Sequence, residues 1–376
     1  MKLNEIKTPS LIIDRQRLVK NCNYMSNRMR KFGVDLRPHL KTAKSFEIAK
    51  IATNGHFGGI TVSTLAEASY FLANGITDIT YAVGISPDKL EEVSDLLDKG
   101  ARVRVITDNL AVVPVLQEKC ASLKANMNVL IEIDTGGLRG GINPESEELV
   151  DLAKAIEQAN NLNLDGVLTH AGHSYECDNI DSIRLVADNE RSGVVKAAEI
   201  LRKQGISCDV VSAGSTPTAV FVENLDGITE MRPGAYMFFD LDQVGMGVCK
   251  IDDIAVTVLA TVIGHKKDPQ RLLIDAGSLA LSKDLSANQF MDNVGYGLVC
   301  RADNCSVIPG LYVERTYQEH GLIASISGPI EFDSFPIGTK VRILPNHTCI
   351  TSAAHDKYYV LDNNMVAETW DRVNGW

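Results

Sequence analysis

The chain lacks the features of several protein classes. No apolar run reaches the ~18 residues that a membrane span needs, the start Met1–Lys7 has no apolar core like that of a signal peptide, and no CxxC pair occurs among the eight cysteines. The net charge of −11 has the wrong sign for binding nucleic acid or an acidic membrane surface. We therefore predict a cytoplasmic protein with free thiols and with neither a nucleic-acid nor a membrane partner.

Strand-like apolar runs alternate with helix-period segments from residue 10 to about residue 240. Alternation every ~20–25 residues is typical of parallel β/α units, and eight or so units predict a closed (β/α)8 TIM barrel. An open doubly wound sheet is the alternative. However, no GxGxxG turn follows the first strand-like run, Ser10–Ile13, so a dinucleotide site has no support.

The pattern changes after about residue 245, where strand-like runs are separated by Gly, Pro and Asp turns with little helix between them. We therefore predict an α/β protein with a barrel over residues 9–245 and a second, mostly β domain over residues 246–376. Residues 1–8 are too few to form a domain and can pair with the second one.

Lys41 lies in the segment Arg37–Lys44, where a strand-like run gives way to a helical pattern. In a (β/α)8 barrel this point lies on the catalytic rim. Partial burial and the nearby cations Arg37 and Lys44 favour the neutral form of an amine, which is the form that makes a Schiff base with an aldehyde. The alternative is a solvated basic loop.

The loops after the last two predicted barrel strands are rich in small and hydroxyl residues. Small residues let the backbone approach a ligand, and hydroxyls with free N–H groups at a helix start bind anions. Phosphate groups commonly lie at these strands of a barrel, although a helix cap and a turn are the alternative. With Lys41, these loops predict pyridoxal 5′-phosphate (PLP) beside Ser212, Gly214, Ser215, Thr216, Gly234, Ala235 and Tyr236.

Four further polar residues are candidates for the same site. Arg139 can reach the phenolic oxygen of the cofactor or, alternatively, form a surface salt bridge. Arg232 can face the pyridine nitrogen and leave the ring unprotonated, unless it only pairs with an acid at the core edge. His170 and Tyr175 can form one wall of the site, and we expect Tyr175 to contact cofactor or substrate.

The second domain contains His347 and Cys349, which are two zinc-compatible ligands on the same side of an extended segment. Two protein ligands are too few for a closed structural site but suit an open catalytic one. A buried cysteine and a capping histidine are the alternative.

Three motifs in this order resemble the D-threonine aldolase / D-serine dehydratase family of fold-type III PLP enzymes, whose N-terminal barrel is similar to that of alanine racemase. They are Arg37–Lys44, Asp275–Asp284 and Pro345–Cys349, and the resemblance covers essentially the whole chain. It implies a homodimer in which Lys41 binds the cofactor and Arg232 contacts the pyridine nitrogen. It also implies that His347 and Cys349 bind a divalent metal and that Tyr296 is a second base.

The cysteine at position 349 is similar to that of zinc-dependent dehydratases acting on D-serine or 3-hydroxy-D-aspartate, whereas aldolases of the family tend to carry Asp there. The resemblance thus implies a lyase that converts a β-hydroxy-D-amino acid into a 2-oxo acid and ammonia, with Lys41 and Tyr296 as catalytic residues. From its position we predict Tyr175 as a third catalytic residue. The alternatives are an aldolase, then an amino-acid racemase. A non-catalytic PLP carrier is disfavoured by the second domain.

Overall fold

The computed structural model of the chain describes residues 2–54, 59–137, 139–363 and 365–376. Leu138, in the glycine-rich loop before Arg139, lies outside the described residues. The chain divides into a unit of residues up to Cys22 with Ala235–Arg372 and a unit of Asn23–Gly234 with Val373–Trp376. Within the described ranges, no helix combines the length and the apolar character that crossing a bilayer requires.

The strands follow the predicted runs closely in most of the chain. Their bounds are β1 Ser10–Asp14, β2 Asp35–Leu36, β3 Ile60–Val62, β4 Asp78–Gly84, β5 Arg102–Thr107, β6 Met127–Ile133, β7 Leu162–Thr169, β8 Val210–Ala213, β9 Glu230–Met231, β10 Val256–Lys267, β11 Gln270–Ile274, β12 Leu298–Arg301, β13 Val307–Thr316, β14 Gly321–Ser325, β15 Lys340–Leu344, β16 Lys357–Asp362 and β17 Met365–Asp371.

Most of the helices lie between the strands of the first half of the chain. Their bounds are α1 Arg15–Phe32, α2 Phe46–Ala52, α3 Leu65–Ala73, α4 Leu90–Asp98, α5 Val113–Leu123, α6 Glu147–Gln158, α7 Ile180–Lys203, α8 Thr216–Phe221, α9 Leu241–Gly245, α10 Ser278–Leu281 and α11 Thr348–Ala353. Side-chain caps start several of them, such as Thr64, whose hydroxyl accepts the Glu67 N–H at 3.0 Å.

The strands β2 to β9 form an eight-stranded parallel sheet in the order β2-β9-β8-β7-β6-β5-β4-β3. The sheet closes on itself just past β2, where the Leu40 N–H donates to Thr61 O (2.8 Å) and the Thr61 N–H donates to Pro38 O (3.0 Å). This confirms the predicted (β/α)8 barrel. Lys41 therefore follows directly on the hydrogen bonds that close the barrel.

Buried ion pairs link the barrel strands from inside. Arg37 on the β2 side donates from Nε to Glu230 Oε2 (2.7 Å) and from Nη1 to Asp78 Oδ1 (2.8 Å). The same carboxylate of Asp78 accepts from Arg104 (3.0 Å), which also pairs with Asp165. Because buried charges are stable only when they are paired, this network fixes β2, β4, β5, β7 and β9 in one register.

The unit of residues up to Cys22 with Ala235–Arg372 contains a nine-stranded sheet in the order β11-β14-β13-β12-β15-β10-β1-β16-β17. Its pairs are antiparallel except for β1 with β16, which run parallel. This confirms a mostly β second region, and β12 and β17 are strands that the sequence did not predict. The predicted domain division at residues 245/246 stays a prediction.

The strand predicted at Ser10–Ile13 as the first of the alternating series does not join the barrel. It forms β1, which lies between β10 and β16 in the nine-stranded sheet. Leu11, Ile12 and Ile13 are all buried, and a short, continuous apolar run of this kind is typical of any strand covered on both faces. Periodicity alone therefore could not distinguish the two sheets.

The barrel network generates a stability prediction. Arg37→Met should lower the free energy of unfolding by about 3–5 kcal/mol, because Glu230 is left buried without its partner. Arg102→Met removes a cation that pairs with the same Asp78 but is 62% exposed, so it should cost less than about 1 kcal/mol. Denaturant unfolding of both variants measures the difference, and equal losses would contradict this account of the network.

Candidate active site

A cavity of about 360 Å³ opens at the carboxyl ends of the barrel strands. Its volume lies within the range of small-molecule sites, and its location is the face where (β/α)8 enzymes carry their active sites. Each barrel strand or the loop after it contributes. The lining residues are His39, Lys41, Ser63, Ala82, Val83, Gly84, Ile106, Asp108, Glu132, Arg139, Gly140, Leu168, His170, Gly214 and Arg232.

Lys41 is half-buried in the cavity wall, but the two cations predicted to flank it are directed elsewhere. Arg37 is buried against Glu230, and Lys44 Nζ lies 3.2 Å from Glu67 Oε1. That part of the prediction was wrong because both cations have carboxylate partners from distant strands or helices. The cations that share the cavity with Lys41 are Arg139 and Arg232.

Two neutral imidazoles accompany these cations. Burial and the charge of Lys41 lower the pKa of His39 well below its usual value. Burial, Lys41 and Arg139 lower the pKa of His170 to about 3. His170 Nδ1 also lies 3.3 Å from Gly214 O, which fixes the ring. Near neutral pH these rings can pack against a ligand without adding charge.

Arg232 is held by oxygen atoms of the barrel wall. Its Nη2 donates to Thr169 O (2.6 Å), and its Nη1 donates to Ser212 Oγ. The Ser212 hydroxyl in turn donates to Glu230 Oε1 (2.6 Å). The structure thus places Ser212 behind Arg232 and not among the lining residues, so its role toward the cofactor stays a prediction.

The loop after β8 contains both a glycine that shapes the cavity and a helix cap. Gly214 has φ +114°, and a Cβ there would lie 3.0 Å from Arg232 N, so only glycine fits. The Ser215 Oγ accepts the Thr218 N–H (3.2 Å) as the cap of α8. A helix cap was the alternative to a phosphate site in this loop. The Thr216 N–H donates to Tyr175 Oη at 3.4 Å. The residues that line the cavity do not include Tyr175, Ser215 or Thr216.

Glu190 is a buried residue of α7 that the sequence did not single out. Its Oε1 accepts the N–H groups of Ala171 (2.8 Å) and Gly214 (3.0 Å), which joins the loops after β7 and β8. Burial raises its pKa, and these hydrogen bonds oppose that rise. The sequence did contain a signal for this residue. Glu190 falls at helical spacing between Ala187 and Val194, so it lies on the buried face of an amphipathic helix.

Two acidic residues at strand ends were also missed. Asp108 follows β5 and accepts the Gly141 N–H at 2.7 Å, and Glu132 lies near the end of β6. Burial and the charge of Asp108 raise the pKa of Glu132. The rule that selected the polar residues after the other strands, applied to β5, would have found Asp108, whereas Glu132 lies within β6 and is outside that rule.

Three residues of the loop after β9 have separate surroundings. Gly234 approaches the backbone closely, since a Cβ there would lie 2.7 Å from His39 O. Ala235 and Tyr236 belong to the unit with the nine-stranded sheet. Tyr236 is fully buried, and burial followed by the charge of Cys22 raises its pKa. Their cofactor roles stay predictions.

The predicted metal ligands lie in the unit with the nine-stranded sheet. His347 precedes α11, and its Nδ1 lies 3.0 Å from Asp284 Oδ2. Burial lowers the pKa of His347, but hydrogen bonds to Asp284 and Cys349 raise it to about 11. The imidazole and the thiol are therefore adjacent, and a divalent cation can take the place of a proton between them.

This donor set fits an open metal site. Among the described residues, no group of three or more His, Cys, Asp and Glu side chains is arranged to hold a metal, so two protein ligands would leave positions for water or substrate. Tyr296, the predicted second base, is half-buried in the same unit, and its N–H donates to Val313 O at 2.8 Å.

Comparison with known proteins identifies the family. Residues 13–242 match the N-terminal domain of alanine racemase, and residues 255–361 match the putative serine dehydratase domain. The chain belongs to the D-threonine aldolase / D-serine dehydratase family. Members of this family are PLP-dependent lyases, and the chain is an enzyme of this type.

Two curated members of this family cover the chain fully. The D-threo-3-hydroxyaspartate dehydratase of Delftia sp. (strain HT23) is 42% identical over 374 residues, which are 99% of this chain and 98% of that protein. The D-serine dehydratase of Dictyostelium discoideum is 33% identical over 395 residues, which cover 100% of this chain and 98% of that protein.

Solved structures of the family agree with the fold. The structure of the Delftia dehydratase has a TM-score of 0.96 at 41% identity, with both chains covered fully. A metal-free structure of a cysteine-to-alanine variant of D-threo-3-hydroxyaspartate dehydratase has a TM-score of 0.97 at 41% identity, again with both chains covered fully. D-threonine aldolase from Filomicrobium marinum has a TM-score of 0.82 at 27% identity, with coverage of 99% of this chain and 96% of that chain.

The contacts of Glu190 predict how the cavity wall depends on it. Glu190→Leu should lower the free energy of unfolding by roughly 2–6 kcal/mol, since two buried N–H groups lose their acceptor. Glu190→Gln keeps an oxygen at that position and should lose about 1 kcal/mol or less. Denaturant titration compares the two variants. If the glutamine variant is as unstable as the leucine variant, the acceptor role is refuted.

Proposed function

We propose that the chain is a dehydratase that converts 3-hydroxy-D-aspartate or D-serine into a 2-oxo acid and ammonia. It would use PLP at Lys41 and a divalent metal, zinc, at His347 and Cys349. The observation that carries the proposal is the cavity at the barrel rim, which is lined by both Lys41 and Arg232. The similarity to the Delftia enzyme supports this substrate class.

The cavity fits PLP in chemistry and in shape. The Lys41 amine can bind the aldehyde, and Gly214 in the loop after β8 lines the same cavity without a side chain that would fill it. When bound, the cofactor supplies an electron sink for charge that develops at the α-carbon. Arg232 places a guanidinium, which does not give up its proton, at the back of the cavity.

Lys41 is the proposed base for the α-proton. The neutral ring of His170 and the phenol of Tyr175 are proposed to position the cofactor ring and the substrate, and Arg139 to hold an oxygen at the cavity mouth. Tyr296 is proposed as a second acid–base group. Since His39 and His170 are uncharged, the positive charges of the cavity lining are those of Lys41, Arg139 and Arg232.

His347 and Cys349 are proposed as the two protein ligands of the metal. An imidazole nitrogen and a thiolate are ligands that zinc prefers, and the contact between these two side chains supports a shared ion. When bound, the ion supplies a Lewis acid that makes hydroxide a better leaving group.

We also propose a cytoplasmic homodimer. Large apolar side chains are exposed close together on the unit with the nine-stranded sheet, where α10 packs against α11. They include Leu279, Tyr317 and Ile350. Exposed apolar patches of this kind are typical of subunit interfaces, and the cysteines of the described chain are free thiols, as in reducing compartments.

The role of Lys41 is tested by the visible absorbance of the bound cofactor. Lys41→Ala should abolish the absorbance band of lysine-bound PLP and reduce turnover by several orders of magnitude, because the covalent attachment and the base are both lost. Lys44→Ala is the matched control: Lys44 lies three residues away and pairs with Glu67, so the band should persist. A band retained in the Lys41 variant would remove the central assignment.

The reaction is tested by product analysis with and without a chelator. D-Serine and 3-hydroxy-D-aspartate should each yield a 2-oxo acid and ammonia, and chelation should stop both reactions until zinc is restored. Cys349→Ala should lose metal and activity but keep the cofactor band, whereas Cys177→Ala, a half-buried thiol in the barrel unit, should keep all three. Release of glycine and an aldehyde would instead identify an aldolase.

A further inference from the structure

We propose that Asp284 is a positioning residue that orients His347 for the metal. The inference rests on the metal site of the proposed function and adds a residue that the sequence motifs did not assign. The carboxylate of Asp284 lies 3.0 Å from Nδ1 of His347 through its Oδ2. A carboxylate on the far nitrogen of a metal-binding histidine fixes the ring and strengthens its basicity.

Asp284 is itself held at three points. Its Oδ1 accepts the Ser286 N–H (2.7 Å), its own N–H donates to Ser282 Oγ (3.2 Å), and its carbonyl accepts from Asn346 Nδ2 (2.9 Å). Because Asn346 is adjacent to His347 in sequence, the last of these bonds ties the loop of Asp284 to the turn that carries the metal ligand. These hydrogen bonds between side chains and backbone hold the carboxylate of Asp284 beside the imidazole of His347.

The hydrogen bond also selects the tautomer of the ring. With Nδ1–H donated to Asp284, Nε2 is the nitrogen of His347 that can exchange its proton for a metal. Without the carboxylate, the ring could rotate or place its proton on Nε2, and the ion would lose a ligand in part of the population. Asp284 thus favours the ring orientation and the tautomer in which Nε2 binds the ion.

The neighbouring buried carboxylate of Asp240 has a different task. It accepts the N–H groups of Gln243 (3.0 Å) and Thr348 (3.0 Å), which makes it a cap for α9 and a brace for the turn. Among the described residues, Asp284 is the carboxylate for which a hydrogen bond to the His347 ring is seen. Asp240 therefore stabilises the backbone of the turn, whereas Asp284 contacts the side chain of the metal ligand His347.

The test measures zinc affinity of the PLP-loaded protein after removal of metal, by competition with a chromogenic chelator. Asp284→Asn keeps an oxygen for the Ser286 N–H but removes the charge, and it should weaken zinc binding by about 10–100-fold. The cofactor band should be unchanged. At saturating Co²⁺, the thiolate charge-transfer band of Cys349 should still appear, which shows that the turn is intact.

Asp253→Asn is the matched control. Asp253 is 18% exposed and paired with Lys20, as Asp284 is 17% exposed and paired with His347, so its variant should bind zinc like the wild type. Wild-type zinc affinity in Asp284→Asn would overturn the positioning role alone. Wild-type zinc affinity in His347→Ala would instead overturn the metal site on which it rests. Loss of the cobalt–thiolate band in Asp284→Asn would show that the residue only supports the turn.

Discussion

The buried ion pair between Arg37 and Glu230 is the interaction on which the barrel depends. It joins the first and last strands of the barrel, and its hydrogen bonds continue from Glu230 through Ser212 to Arg232 in the cavity wall. A polar chain of this kind is stable only when every member is paired, since an unpaired charge in a low dielectric is costly. The position of the Arg232 guanidinium therefore depends on the hydrogen bonds that connect it through Ser212 and Glu230 to Arg37.

The pairing of charges also distinguishes the cations that stabilise the fold from those that can contact a ligand. Arg37 and Lys44 are neutralised by carboxylates, whereas Lys41 and Arg232 line the cavity. Burial keeps His170 uncharged. A cavity whose polar groups are fixed in advance does not reorganise when charge develops, which is how enzymes gain much of their rate. The arrangement suits a reaction in which negative charge moves onto a cofactor.

Periodicity and strand-end residues were sufficient to predict the barrel, the second β region and the cavity position of Lys41. They were insufficient where a partner lies far away in sequence. Arg37 and Glu230 are 193 positions apart in the sequence, so local patterns do not predict the pairing that removes Arg37 from the site. The apolar run of β1 fits either sheet. The hydroxyl of Ser215 matched both an anion site and a helix cap, a choice that local sequence does not decide.

The topology has a consequence for how the protein is made. Strand β2 obtains its sheet neighbour β9 only when residues 230–231 have been synthesised, and β1 lies between β10 and β16, whose residues come from 256 onward. An emerging chain on the ribosome thus carries two early strands with unpaired edges for most of translation. Unpaired strand edges can pair with the wrong partner. Protection of the growing chain by chaperones should therefore matter more for this enzyme than for a protein in which each strand pairs with the next one in sequence.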